Sequence, residues 1–243
     1  MIQKAAPIRA LAFNIVFYLN LIVHMLAGLP LFLLPRRLMT VLVKSWVRSS
    51  LWWMKLLVGT DCEIRGQANI PKTAILVAAK HQSFWETFAL LPLFSDPIFI
   101  LKRELTWIPL FGWYLLKFGC IAVDRKAGQK ALRAMLADAQ KAAGSGRQII
   151  IFPEGTRKEP GETPDYKPGI NLIYTKLETP CLPIALNSGL FWPRRRPERY
   201  SGTIIVEILP LIPPGLKRQE FLPRLQSDIE TATTRLIAEA REP

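Results

Sequence analysis

The sequence predicts an α/β protein: a mainly parallel sheet flanked by helices, preceded by a two-helix membrane-associated module. Three observations carry that expectation. A charge-free apolar stretch fills positions 10–34, a basic and Trp-rich segment follows it, and from Gly59 onward short β-rich runs alternate with helical ones. The expected division is 1–58 for the membrane helices and 59–243 for the α/β domain, because 243 residues suffice for one such core with an appendage.

The first stretch, "ALAFNIVFYLNLIVHMLAGLPLFLL", contains no Asp, Glu, Lys or Arg. Its length is near the roughly 20 apolar residues needed to cross a bilayer. Pro30 breaks a helix there, so an uninterrupted helix runs to about Gly28. A spanning segment and a re-entrant one both fit, and the stretch exceeds the roughly 7–15 apolar residues of a cleaved signal peptide. Lys4 and Arg9 precede it and Arg36 and Arg37 follow it, so loop charge sets no orientation.

In the next segment, "RRLMTVLVKSWVRSSLWWMKLLVG", the residues Arg37, Lys44, Arg48 and Lys55 are spaced 7, 4 and 7 apart. That spacing stacks them on one narrow stripe of an α-helix whose remaining circumference is mostly Leu, Val, Met and Trp. Such a helix suits an anionic membrane surface, with cations at lipid phosphates and Trp rings at the interface. A core helix with a solvated edge is the other reading.

After Gly59 the continuously apolar runs "AILVAA" and "IIIF" read as strands buried on both faces, as in a parallel sheet covered by helices. The segment from Gln219 to Arg241 closes the chain as an amphipathic helix, and "WPRRRPER" at 192–199 is a compact basic loop between two predicted strands. Loops at the strand ends of such sheets are where ligands bind.

Composition narrows the partners. Thirty-two Lys and Arg against 19 Asp and Glu give a formal net charge of +13, in a chain that is half apolar. That combination excludes a disordered basic tail and calls for an anionic partner: nucleic acid, membrane or phosphorylated substrate. No recognisable nucleic-acid module is present. Cys62, Cys120 and Cys181 are isolated, without a C-x-x-C pair and with only two His in the chain, which points to a reduced compartment and no structural zinc.

Two constellations can carry chemistry. His81 follows the strand "AILVAAK", Ser83 is placed to cap the next helix, and Glu86 lies in its first turns. A carboxylate on one ring nitrogen fixes the tautomer, so that the other nitrogen can take a proton from a hydroxyl. A His that merely packs at a strand end, with Glu86 in solvent, fits the same residues.

The second is "IIIFPEGTRKEPGE", where a strand stops at a turn. Gly155 lets the backbone turn tightly, Arg157 offers a planar fork to phosphate, and Glu154 can accept from substrate hydroxyls. Lys102, Arg103 and Arg125 also fall at strand ends. Ser188 in "NSG" lacks the G-x-S-x-G elbow and is assigned to a turn, and no phosphate-binding glycine loop or H-E-x-x-H motif occurs. His24, within the apolar stretch, reads as an interfacial residue.

In order, "KHQSFWE", "KRELTWIPLFG" with "GCIAVDR", "FPEGTR" and "LPIALNSG" resemble the four sequence blocks of the glycerolipid acyltransferases, specifically the bacterial 1-acylglycerol-3-phosphate (lysophosphatidic acid) acyltransferases, over roughly residues 60–200. The resemblance implies that family's fold and an inner-membrane enzyme with its catalytic domain on the cytoplasmic face. It implies an acyl-CoA or acyl carrier protein donor, lysophosphatidic acid as acceptor and no bound cofactor or metal. A related enzyme acting on another lysolipid or a lyso-ornithine lipid is one alternative, and a non-catalytic peripheral protein that binds anionic lipid through its basic stripe is another.

The resemblance also implies site roles. His81 is then the general base on the 2-hydroxyl and Glu86 orients it. Glu154, Gly155 and Thr156 contact the glycerol, and Arg157 with Lys102 and Arg125 binds the 3-phosphate. The family's block more usually has Asp at the position of Glu86, so an extra methylene has to be absorbed by the backbone or a different rotamer.

Overall fold

A computed structural model describes residues 2–124 and 126–242. Strand β1 (Gln3–Lys4) and helices α1 (Pro7–Ala27) and α2 (Arg36–Val58) come first. They are followed by β2 (Thr60–Arg65), β3 (Ile75–Ala79), α3 (Glu86–Ala89), β4 (Pro97–Lys102), α4 (Phe111–Phe118), β5 (Ile121–Val123) and α5 (Gly128–Gly144). The chain closes with β6 (Gln148–Ile151), α6 (Gly169–Leu177), β7 (Cys181–Leu186), β8 (Tyr200–Ile208) and α7 (Arg218–Arg241).

The strands form one mixed sheet in the order β1-β8-β7-β3-β6-β4-β5, with β2 also paired to β8. Pairings β3/β6, β3/β7, β4/β6, β4/β5 and β2/β8 are parallel, while β7/β8 and β1/β8 are antiparallel. Every residue of β3 and β7 is buried, which explains their unbroken apolar sequences: a central strand covered on both sides has no solvent face to mark with polar residues.

Alternation along β3 divides the core. Ile75, Val77 and Ala79 face one cluster with Phe13, Phe17, Met39, Val47 and Met54 of α1 and α2. Leu76 and Ala78 face the other, with Met135 of α5, Ile170 and Tyr174 of α6, and Phe221, Leu225 and Ile229 of α7. The N-terminal helices therefore cover one side of the sheet, together with Phe88 of α3 and Tyr114 and Phe118 of α4. At about 25 cal/mol per Å² of apolar surface removed from water, burying a side chain such as Phe13 or Phe17 contributes about 2–3 kcal/mol.

The start of α1 is tied to this layer by polar contacts as well. Gln3 and Lys4 pair with Ser201 and Tyr200, Arg9 Nε donates to the Leu57 carbonyl at 2.7 Å, and Asn14 Nδ2 donates to the Pro197 carbonyl at 3.0 Å. Of the two N-terminal helices, α1 alone is long and apolar enough to cross a membrane. Its outward side, with Ile8, Leu11, Ile15, Leu19, Ile22 and Leu26, is exposed.

The interruption expected at Pro30 is present: α1 stops at Ala27, and a short 3-10 turn, Leu29–Leu33, follows. Gly28 stands at the junction because a Cβ there would lie 2.3 Å from Leu42 Cδ2 and 2.7 Å from the Tyr114 hydroxyl. Two of the helical runs that alternate with the strands are short. "SFWETFALLPLF" yields only α3 and a 3-10 turn, since Pro92 denies the helix a donor, and "LTWIPLFGWYLLKFG" is helical only from Phe111, after Pro109 and a left-handed Leu110 (φ 64°).

Candidate active site

The site lies where β3, β6 and β7 end. Lys80 continues the ladder, its N–H donating to the Ile184 carbonyl at 2.9 Å, and His81 is the next residue out. The turn that follows folds back so that Glu86, the first residue of α3, reaches His81: Nδ1 and Oε1 are 2.8 Å apart. The same oxygen accepts the N–H groups of Gln82 at 2.7 Å and Ser83 at 2.6 Å. Ser83 Oγ in turn accepts the Trp85 N–H at 3.1 Å, a local cap at the start of the turn.

The longer carboxylate is thus accommodated: a Glu at the head of a one-turn helix bonds its own turn's amides and still meets the imidazole. Glu86 is fully buried and the His81 side chain is 13 % exposed, so only the far edge of the ring reaches solvent. With the carboxylate at Nδ1, that nitrogen carries the proton and Nε2 presents its lone pair. The ring lies flat on Phe152, with centroids 4.0 Å apart and planes 15° apart, and Phe152 stacks on Phe99.

Ser188, assigned to a turn from sequence, does more. Its hydroxyl donates to Glu86 Oε2 at 2.7 Å, completing a His81–Glu86–Ser188 relay fixed at both ends of the carboxylate. Gln82 contributes as well, its Oε1 accepting the Gly189 N–H at 3.1 Å.

A second buried carboxylate holds the backbone of His81. Glu154 Oε2 accepts the His81 N–H at 3.1 Å, and Oε1 accepts from Lys80 Nζ at 2.8 Å. Lys80 also donates to Glu230 of α7, 2.8 Å from Oε1, where the Tyr166 hydroxyl donates at 3.0 Å. Burial pushes the Glu154 carboxyl above its ordinary value and Lys80 opposes that shift. The Glu154 side chain is 0 % exposed, and each of its oxygens accepts from a protein donor.

The turn after β6 matches its sequence. Gly155 has φ 64° and its N–H donates to the Phe152 carbonyl at 2.9 Å, Thr156 is exposed, and Arg157 is half-buried. Burial depresses the Arg157 guanidinium below its usual value, Glu86 opposes this, and Arg194 and Arg195 add to it, so these groups share one electrostatic neighbourhood. Lys102 is exposed at the tip of β4, 3.3 Å from Glu104. Arg103 pairs with Asp124 at 2.8 Å, and Arg125 lies outside the described residues.

On the α2 stripe, Arg37 and Arg48 are exposed, and Lys55, also exposed, pairs with Asp61 at 2.6 Å. Lys44 is drawn inward: its ammonium donates to the Phe94 carbonyl at 2.6 Å, and burial lowers its pKa. Among the described residues no group of three or more His, Cys, Asp or Glu side chains is arranged to hold a metal ion.

Residues 61–187 match the acyltransferase family model, and the chain is 38 % identical over 168 residues to a 1-acyl-sn-glycerol-3-phosphate acyltransferase of Pseudomonas aeruginosa. The chain belongs to the acyltransferase family. A relative of the same name from Borreliella burgdorferi is 30 % identical over 179 residues. These matches cover 69 % and 72 % of this chain, and 65 % and 70 % of the respective relatives. A 1-acyl-sn-glycerophosphate (LPA) acyltransferase of Thermotoga maritima, solved by crystallography, superposes with a TM-score of 0.76 over 97 % of this chain and 99 % of that one, at 24 % identity. That likeness establishes the acyltransferase fold, with its sheet flanked by helices.

Proposed function

We propose that the protein transfers a fatty acyl chain from a thioester to the 2-hydroxyl of lysophosphatidic acid, giving phosphatidic acid. The observation that carries this reading is the His81–Glu86 pair, 2.8 Å apart through Nδ1, which leaves Nε2 for a substrate at the end of the parallel strands β3, β6 and β7, in a family whose relatives bear that activity in their names. Nε2 takes the proton from the acceptor hydroxyl as its oxygen attacks the thioester carbonyl. The tetrahedral intermediate collapses, the C–S bond breaks, and the imidazolium returns the proton to the departing thiolate. Glu86 supports the imidazolium while Ser188 holds the second oxygen in place.

The remaining roles follow position. Gly155 and Thr156 flank the path to His81 on the β6 turn and face the glycerol. Arg157 binds the 3-phosphate, which is two carbons from the attacking oxygen and so close to the base, with Lys102 and Arg125 farther along the strand ends. General base catalysis is worth about 10²–10⁴-fold, and holding both substrates together adds to it. The donor is acyl-CoA or acyl carrier protein, both cytosolic, so the catalytic face is on the cytoplasmic side of the inner membrane.

Residues 1–58 serve as the membrane-binding part and 59–243 as the catalytic part. Because β1 and the start of α1 are bonded to the sheet, α1 lies in the cytoplasmic leaflet on its apolar outer side, with Arg37, Arg48 and Lys55 towards lipid phosphates. The test is an acceptor panel in detergent micelles with labelled acyl-CoA and acyl carrier protein. Lysophosphatidic acid should be preferred over lysolipids with larger headgroups and over lyso-ornithine lipid; preference for a phosphate-free acceptor contradicts the reading.

A further inference from the structure

The basic loop between Trp192 and β8 is unaccounted for by the chemistry at His81. Arg194 Nη1 donates to the Arg157 carbonyl at 2.7 Å, joining the loop to the catalytic turn. Arg195 and Arg196 are exposed, and Arg195 holds a left-handed backbone (φ 56°), a conformation a non-glycine residue adopts at a cost and which concentrates at functional sites. Beneath them Arg199 is buried, its guanidinium 4.2 Å above the Trp192 ring and its Nη1 donating to the carbonyls of Arg196 at 2.8 Å and Glu198 at 2.7 Å. The one carboxylate in the loop, Glu198, is 3.7 Å from Lys4.

Positive charge is thus assembled at the rim and braced from below. Like charges held together repel, and a bound anion relieves that repulsion. Two anionic substrates must meet at His81, and the strand order places basic groups on both sides of it: Lys102 after β4 on one, this loop after β7 on the other. The acceptor's phosphate is two carbons from the reacting hydroxyl and belongs close to the base. The donor's nearest phosphate is separated from the thioester by the whole pantetheine arm and belongs at the rim.

We propose that Arg194, Arg195 and Arg196 bind the phosphate of the phosphopantetheine arm that acyl-CoA and acyl carrier protein share, anchoring the donor while its thioester reaches His81. This rests on the thioester-dependent reading above. The test compares S-acyl-pantetheine, which lacks the phosphate, with S-acyl-phosphopantetheine, in the wild type and in the Arg195→Asn/Arg196→Gln double variant. Asn tolerates the left-handed backbone at 195, and a melting temperature checks that the variant is folded.

The wild type is expected to show a KM lower by about tenfold for the phosphorylated donor, the scale of a hydrogen bond to a charged group, and the variant to lose that preference. A variant that keeps the preference overturns the proposal, as does one in which the rise falls on the KM for lysophosphatidic acid. Sedimentation with phosphatidylglycerol vesicles gives the lipid arm: lost vesicle binding with donor preference intact assigns the arginines to headgroups and overturns it. Separate runs with acyl-CoA and acyl carrier protein identify which carrier delivers the phosphate.

Calorimetric titration with phosphopantetheine alone separates this proposal from the acyltransfer reading. Should the wild type transfer nothing to lysophosphatidic acid, that reading fails, yet binding present in the wild type and lost in the variant still supports the loop. Equal binding by both proteins overturns it.

Discussion

Two buried glutamates flank His81 and hold it in different ways. Glu86 grips the ring, and its oxygens accept from the imidazole, two backbone amides and the Ser188 hydroxyl, with no lysine or arginine among the described residues at ion-pair distance. Glu154 grips the backbone, and its charge is matched by Lys80 at 2.8 Å. The difference separates two tasks. In the proposed reaction, a carboxylate caged by neutral donors directs its field at the imidazole on which positive charge would develop, whereas one paired with a lysine holds structure and projects little charge.

The comparison breaks first at Lys80. Replacing it by Met leaves Glu154 buried without its counter-charge, which should cost about 3–5 kcal/mol of stability. Because burial already raises the Glu154 carboxyl, the native state of that variant binds a proton more tightly than the unfolded chain does. The deficit should therefore shrink as pH falls through the raised value, as read by thermal melts from neutral to acid pH. A deficit independent of pH would mean that Lys80 contributes through packing alone.

Glu86→Gln sharpens the same contrast. The amide oxygen can still accept from the imidazole and both backbone N–H groups while the charge is lost, so kcat should drop by about 10–10²-fold with little change in melting temperature. An unchanged kcat would reduce Glu86 to a structural brace. Smaller is Glu230→Gln, where Lys80 retains Glu154. The expected loss is about 1–2 kcal/mol from weakening charged hydrogen bonds on a side chain 23 % exposed, measured by denaturant titration.

The smallest effect concerns a third carboxylate, which docks α2. Burial pushes Asp96 up, but Arg36 at 2.5 Å and Arg147 at 3.2 Å outweigh it and hold the carboxyl below its ordinary value. A depressed carboxyl stabilises above its unfolded pKa, near 3.9, and the contribution disappears as pH falls through the folded value. Asp96→Asn should therefore cost less than about 1 kcal/mol at neutral pH, discounted for a side chain one-third exposed, and nothing at a pH below both values. Melting curves at the two extremes measure it.

What the sequence reveals follows from these partners. The parallel strands are legible because full burial leaves unbroken apolar runs, and the helix break is legible in Pro30. The His81–Glu86 pair is legible because its members are five residues apart. Lys80 is not: at the end of "AILVAAK" it reads as a surface charge, and its partners Glu154 and Glu230 are 74 and 150 residues away. Nor does the sequence tell which side of α1 faces protein, since Phe13 and Phe17 on the core and Leu11 and Ile15 outside it are equally apolar. Lys44 matched the spacing of its stripe, yet only the position of the Phe94 carbonyl decides that it turns inward.

The role of His81 at the centre of both carboxylates is tested most directly by acyl transfer from labelled acyl-CoA to lysophosphatidic acid, comparing the wild type with His81→Ala whose circular dichroism matches it. Removal of the base should lower kcat by at least about 10²-fold with the fold intact. Undiminished transfer by the folded variant would contradict the account, leaving the two glutamates as braces of a strand end and placing the proton transfer elsewhere.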